Sequence, residues 1–380
     1  METLIIGCGV AGCVMARRLA EAGHQVTIVE KRNHIAGNCY DEYDENGVLV
    51  HIYGPHIFHT NEKRVYDFLS LYTNWYDYAH EVVGNVYGKI IPIPFNLNTL
   101  HIVFGKERGD LLEKELVATY GKEARVPIME LMKNPSPDIQ EVGQYVYENI
   151  FLKYTMKQWN QRPEEVDQSV TARVPVLLSY DNRYFQDTYQ GMPSEGYTKM
   201  FERMIDHPRI QVILNTDAQD LLDFDFENHH ILYKGNVFTG PVIFTGAVDA
   251  FFHYKEGRLP YRSLRFDFEH YDVDDYQGHG VVNYTVSEDY TRITEFKHLT
   301  GQKIKGTTII KEYPAPYISE DQVPYYAILN DENKAIHDKY TALLKNFKNF
   351  YLLGRLAQYR YYNIDGICLE ALKLADEIGE

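Results

Sequence analysis

The chain has 380 residues, more than the ~250–300 at which a single hydrophobic core stops growing, so more than one domain is expected. Its 54 acidic against 38 basic residues leave a formal charge of −16, which argues against a general nucleic-acid binder or a protein of anionic membrane surfaces, and any anionic ligand needs a local basic site. Cys8, Cys13, Cys39 and Cys368 form no CxxC pair, an acid and several glycines interrupt what would be a signal peptide, and no run approaches ~20 apolar residues, so a cytoplasmic chain without zinc, disulfides or a membrane span is expected.

The N-terminus reads as strand, glycine-rich turn, helix and strand: "TLIIG", "CGVAG", "CVMARRLAEAG" and "QVTIVE". Gly7, Gly9 and Gly12 have GxGxxG spacing at the helix start, where backbone amides and the helix dipole favour a pyrophosphate. Glu30 ends the second strand, placed to accept from ribose hydroxyls and to repel a 2′-phosphate. A nicotinamide dinucleotide or FAD satisfies this pattern, and the continuation "EKRNHIAGN" favours FAD: Lys31 and Arg32 follow the acid, and Gly37 and Asn38 offer a second close approach of backbone to cofactor.

"HIYGPHIFHTN" then supplies His51, His56 and His59. Pro55 and the extended surroundings break any helix that could make them metal ligands, leaving a neutral imidazole that donates to a flavin or sugar oxygen, or a core histidine. From Lys63 to about Trp159 the apolar spacing is mostly helical. Phe151, Tyr154 and Trp159 in "FLKYTMKQW" are either core aromatics or a stacking platform for a nucleobase. Short β-rich runs with turn residues, such as "YRSLRFDFE" and "GTTIIKEYP", predict an antiparallel sheet.

Three arginines lie in apolar or tyrosine-rich company: Arg173, Arg262 and Arg355. Each alone reads as an ordinary ion pair; together they read as a phosphate site, with Tyr184, Tyr313 and the tyrosines of "GRLAQYRYYNID" as further donors. The closing helix is expected to start between Asn363 and Gly366, its free amides aimed at the pyrimidine end of an isoalloxazine.

Taken in order, "GCGVAG", "EKRNHIAGN", "GPHIFHT", "PFNLNT", "YTMKQW", "DNRYFQDTYQGMP", "YRSLRF", "KEYP" and "GRLAQYRYYNI" resemble the bacterial UDP-galactopyranose mutases over essentially the whole chain. The resemblance implies an isomerase with FAD, active when reduced, that interconverts UDP-galactopyranose and UDP-galactofuranose through a flavin N5–sugar adduct, net non-redox, for cell-surface polysaccharide. It implies an α/β + β fold: a discontinuous Rossmann-like FAD domain (1–62, 190–243, 345–380), a mainly helical insertion (63–165) and an antiparallel sheet domain (166–189, 244–344). Arg173 and Arg262 would hold the diphosphate with Tyr184, Tyr313 and Tyr361. Tyr154 would face uracil beside Phe151 and Trp159. His56, His59 and Arg355 would line the flavin and sugar, with Ile57, Gly354, Tyr361, Asn363 and Ile364 also at the flavin. A homodimer, reduced by NAD(P)H or a reductase and binding neither nucleic acid nor membrane, completes the expectation. Two positions depart from the family pattern: Asn363 replaces the usual Asp, and His80 stands where a small amide or hydroxyl residue is expected. A flavin amine oxidase shares the glycine-rich turn but leaves the arginines unexplained, and a non-enzymatic binding protein on the scaffold of the Rab GDP-dissociation inhibitors would lack flavin.

Overall fold

The structure is a computed structural model of the chain that describes residues 1–153, 156–157, 175–286 and 288–379. A five-stranded, all-parallel sheet runs in the order Ile210–Ile213, Gln25–Val29, Glu2–Ile6, Val242–Phe244, Phe350–Leu352. Its strands are near-continuous aliphatic runs because both faces are covered. On one face the first helix, Val10–Glu21, packs against the C-terminal helix, Ile364–Gly379, in a core that includes Val14, Met15, Leu19, Cys368, Ala371 and Leu372. On the other, Phe224, Phe251, Phe347 and Phe350 cluster beneath Val242 and Phe244. One sheet thus draws strands from both ends of the chain.

A second sheet has seven strands in the order Tyr326–Ala327, Tyr261–Tyr271, Thr307–Pro316, Arg292–Glu295, Val281–Tyr284, Val82–Val86, Lys89–Ile93. All its pairings are antiparallel except Val281–Tyr284 with Val82–Val86. The hairpin 82–93 interrupts the stretch 63–165, which was expected to be mainly helical. Its β-branched runs are too short for helix periodicity, and Tyr87 and Gly88, both at positive φ, close a two-residue turn of the kind that matches strand twist. The rest of that stretch is largely helical. Leu97–Phe104 starts on an Asn96 cap and Pro137–Val146 on a Ser136 cap with proline at its first turn. With Lys106–Tyr120 they enclose a core of Leu100, Leu112, Leu116 and Val142.

Strand alternation sorts the second sheet into two faces. Arg262 is in register with Pro316, Phe266 with Glu312, Glu312 with Arg292, and Arg292 with Asn283, so Arg262, Phe266, Glu312, Arg292 and Asn283 share one face. That face looks toward the first domain: Phe266 lies against Gly54, and Thr308 donates to Asp44. Among the described residues no helix is long and apolar enough to cross a membrane.

Candidate active site

A cavity of about 690 Å³ opens at the C-terminal edge of the parallel sheet, the usual ligand position in such folds and within the usual size range for a cofactor site. Gly7, Gly9, Glu30, Lys31, Arg32, Gly37, Asn38, His56, Gly354, Arg355, Asn363 and Ile364 line it; Gly12, Ile57 and Tyr361 do not. The glycines have separable reasons. A Cβ on Gly12 would lie 1.9 Å from the Gly7 carbonyl oxygen, so this glycine lets the helix meet the strand. Gly37, at φ +57, would place a Cβ 2.9 Å from Gly9 Cα, whereas a Cβ on Gly9 would meet nothing nearer than 3.7 Å. Gly9 therefore leaves room for something other than protein.

The first helix has no side-chain cap and no acid in its first turn, so its free amides are available to an anion at the cavity. Glu30 accepts from the backbone N–H of Cys8 at 2.7 Å and of Arg32 at 2.9 Å, which fixes its carboxylate at the strand end. The Arg32 guanidinium lies 4.4 Å above the Tyr53 ring and donates to Asn38 Oδ1, while its buried Nη1 has no partner among the described residues. Lys31 pairs with Asp217 on the same wall. The C-terminal helix begins at Ile364, with Asn363 just before it at the cavity. Uncapped amides, a glycine without obstruction and an unpartnered guanidinium nitrogen fit a dinucleotide cofactor.

The histidines form a tautomeric chain. The His56 backbone N–H donates to His51 Nδ1 at 3.1 Å, which leaves the His51 proton on Nε2, facing Asp41 at 4.0 Å. His56 Nδ1–H in turn donates to the Gly54 carbonyl at 2.9 Å, so its Nε2 is an acceptor. Burial pushes both down, His51 to about 4 and His56 to about 3, the latter helped by the charges of His51 and Arg355. The expectation that a neutral His56 donates to the flavin or sugar is thereby corrected: its proton is committed to the backbone. His59 Nδ1 meets Asp187 Oδ2 at 2.8 Å, and its ring stacks on Phe185 at 3.5 Å.

Beyond the cavity, Arg355 donates from Nε to the Tyr362 carbonyl, and its guanidinium lies 4.7 Å over the Tyr361 ring. Tyr361 stacks near Tyr326 at 6.4 Å and lines a second cavity of about 390 Å³ with Tyr359 and Arg360. Tyr326 is next to Arg262 in register and feels the charges of Glu312, Arg292 and Arg355. Arg262 is half-buried; burial lowers its pKa, and its sealed Nε has no partner among the described residues. Arg292 is 3.2 Å from the buried Glu312, and Asn283, its register partner, has a buried Oδ1 without a partner among the described residues. Tyr184 and Phe185 lie near His80, which the Arg292 charge also reaches.

Two expected residues fall elsewhere. Tyr313 projects to the opposite sheet face, where the Arg265 guanidinium covers its ring at 3.8 Å, because it is one residue from Glu312. Phe151 sits on an inward turn of 147–152 and is buried in the helical core rather than in the cleft. Tyr154, Trp159 and Arg173 lie outside the described residues. Arg292, Tyr326, Asn283 and Asp187 were not anticipated. An arginine in alternation in "YTRITE" was the available signal for the first of them.

Two family models match this chain: a UDP-galactopyranose mutase model over residues 149–361 and an NAD(P)-binding Rossmann-like domain over residues 5–71. A probable UDP-galactopyranose mutase of Klebsiella pneumoniae is 37% identical over 98% of this chain and 94% of its own length. The chain belongs to the UDP-galactopyranose mutase family. Within that family, a dTDP-fucopyranose mutase of Escherichia coli is 36% identical over 98% of this chain and 97% of its own. A crystal structure of a reduced UDP-galactopyranose mutase superposes with a TM-score of 0.73 over 99% of this chain and 95% of its own at 15% identity, a likeness of fold.

Proposed function

We propose that this mutase-family chain interconverts UDP-galactopyranose and UDP-galactofuranose with FAD in the reduced form. The observation that carries the reading is the junction between the dinucleotide cavity and the arginine- and tyrosine-bearing sheet face, bridged by Arg355 and Tyr361. Reduced flavin, when bound, supplies a nucleophile for the anomeric carbon without net consumption of reductant. The chain's own share is binding and electrostatics. The amides at the Gly9 helix start, Glu30 and Arg32 hold the dinucleotide, and the start of the C-terminal helix favours negative charge at the inner end of the cavity. Arg262, Arg292, Tyr326 and Tyr361, joined by Arg173, take the diphosphate and stabilise it as it departs. Tyr184, with Tyr154 and Trp159, receives the nucleoside. His56 Nε2 and the His59–Asp187 pair line the sugar side as acceptors.

The dTDP-fucopyranose mutase relative, 36% identical against 37% for the first, motivates a second reading with a 6-deoxy hexose on a thymidine diphosphate. We place the protein in the cytoplasm as a homodimer, reduced by NAD(P)H or a reductase and serving a cell-surface polysaccharide. Anaerobic incubation with dithionite and either UDP-galactofuranose or dTDP-fucofuranose, the products separated by chromatography, tests both readings. Pyranose from the first substrate supports the proposal. Turnover of the second alone replaces it, and turnover of neither overturns both.

A further inference from the structure

The second cavity, of about 390 Å³, holds none of the groups assigned to cofactor or substrate except Tyr361. One wall is the segment after Arg355, and another is the helix Asp331–Leu344. Gly354, Arg355 and Tyr362 line the dinucleotide cavity, whereas Gln358, Arg360 and Tyr361 line the second, so this short segment is a partition between the two. Its conformation is imposed. Tyr359 sits at φ +48, in the left-handed region that a tyrosine rarely adopts, and is anchored there by a hydroxyl that donates to the Pro260 carbonyl at 2.6 Å. Gln358 Oε1 accepts from the Gly354 N–H at 3.1 Å and from the Tyr362 hydroxyl at 2.9 Å, and His337 Nε2–H donates to the Ala357 carbonyl at 2.9 Å, which ties the helix to the partition. Two cations face each other across this frame: Lys334, one turn before His337 on the helix, and Arg360 on the partition. Among the described residues neither side chain has a hydrogen bond, ion pair or ring contact, although the chain carries a charge of −16. Asp338, the one carboxylate in the described lining, pairs with neither. Gln358 Nε2 likewise has no acceptor among the described residues.

We propose that this cavity is a second anion site, separate from that of the substrate's diphosphate. It takes a phosphate group, as inorganic phosphate or as a phosphomonoester, between Lys334 and Arg360 with the Gln358 amide as a further donor, and its occupant weakens nucleotide binding at Tyr361. A guanidinium fork and an ammonium, both without counter-ions, match the several oxygens and double charge of a phosphate. The volume is within the range of small-molecule sites and leaves room for a sugar attached to the phosphate. The coupling has a physical route: Tyr361 lines this cavity and lies under the Arg355 guanidinium, which lines the other. A dianion in the second cavity cancels positive field that otherwise favours a diphosphate at Tyr361, and the effect is reciprocal. The coupling rests on the proposed nucleotide-sugar reading; the anion site does not.

The FAD-loaded protein is titrated by calorimetry with inorganic phosphate and, separately, with ribose 5-phosphate, in a phosphate-free buffer of fixed ionic strength. Saturable binding is expected, weakened about tenfold or more in Arg360→Ala and in Lys334→Ala, less in Arg360→Lys, and unchanged in Lys339→Ala, which removes an exposed lysine of the same helix outside the cavity. Tighter binding of ribose 5-phosphate supports the site with a phosphorylated metabolite as its occupant, and tighter binding of inorganic phosphate supports it with the free ion. No saturable binding of either, wild-type affinity in both alanine variants at the cavity, or an equal loss in Lys339→Ala overturns the site. All three side chains are exposed, so the variants keep the fold, which FAD content and thermal unfolding verify. UDP is then titrated with and without saturating phosphate. The wild type is expected to bind UDP about threefold or more weakly with phosphate present, and Arg360→Ala to show no such difference. An unchanged UDP affinity in the wild type overturns the coupling. A difference of the same size in Arg360→Ala overturns it too, because phosphate then competes within the diphosphate site. If UDP does not bind the wild type, the nucleotide-sugar reading and the coupling fail together, while the phosphate titrations still decide the site.

Discussion

Gly9 and Gly12 belong to one motif, and the structure predicts opposite outcomes when each is replaced by alanine. Gly9 has φ −84 and ψ −165, open to any residue, and its Cβ would approach protein no closer than 3.7 Å. Gly9→Ala therefore leaves the apoprotein as stable as before, or more so by about 0.4–1 kcal/mol through lost freedom in the unfolded chain. The methyl occupies cofactor space instead. Displacing one charge-assisted hydrogen bond between a turn amide and the pyrophosphate costs about 1.5–3 kcal/mol, roughly a ten- to hundredfold weaker Kd at 1.4 kcal/mol per decade. Gly12→Ala drives its methyl to 1.9 Å from the Gly7 carbonyl oxygen, a backbone atom that cannot swing aside, and costs about 1–3 kcal/mol or more of fold stability. Titrating apoprotein with FAD by flavin fluorescence and following apoprotein unfolding by denaturant separates the two effects. Gly9→Ala with wild-type FAD affinity would show that the turn does not face the pyrophosphate and would refute the reasoning, as would a destabilised Gly9→Ala apoprotein.

Arg292→Ala should cost about 2–5 kcal/mol in transition-state stabilisation, because it removes a charge partner from a partly desolvated diphosphate and leaves buried Glu312 unpaired; kcat/KM within threefold of wild type would reduce the pair to a structural one. Tyr326→Phe should lower kcat/KM about tenfold by losing one hydroxyl donor, whereas Tyr313→Phe, on the far face under Arg265, should leave it unchanged, and equal effects would contradict the sheet register. His51 and His80 are held neutral at about 4 and about 3, below the ordinary value near 6.5, so from pH 6.5 downward the unfolded chain binds more protons than the native one. Their contribution is whole above that pH and declines by about 1.4 kcal/mol per pH unit for each as pH falls toward those values; His51→Asn should flatten the slope of unfolding free energy between pH 6.5 and 4.5, and an unchanged slope would exclude His51 as a cause.

What was legible in the sequence follows the range of the interactions. The glycine-rich turn, Glu30 and the start of the C-terminal helix near Asn363 obey local rules, since each is decided by a turn, a strand end or a helix cap within a few residues. The sheet face was not legible in the same way. "KEYP" offers Glu312 and Tyr313 as neighbours, and only the pairing of Thr307–Pro316 with Tyr261–Tyr271 and Arg292–Glu295 decides which of them meets Arg292. The tyrosine looked like the donor, and the register turns it to the far face and sets the acid beside Arg292 instead. Asp187 likewise reaches His59 across 128 positions of chain, a distance at which no spacing carries information.

The arginines give a criterion that composition hinted at and contacts sharpen. In a chain with many more acids than bases, a guanidinium finds a carboxylate easily, and Arg17, Arg18, Arg108, Arg183, Arg203 and Arg292 each do. Among the described arginines that are not exposed, Arg32, Arg262 and Arg355 have no carboxylate at ion-pair distance. A half-desolvated cation without a counter-ion is costly in the ligand-free protein. Two of these three line the dinucleotide cavity, and the third stands beside Tyr326 on the sheet face that the cavity meets. An anion bound at each would offset that cost. Two separate anionic groups are thus called for, one at the first helix and one at the sheet, which is the charge pattern of a dinucleotide cofactor meeting a nucleoside diphosphate sugar.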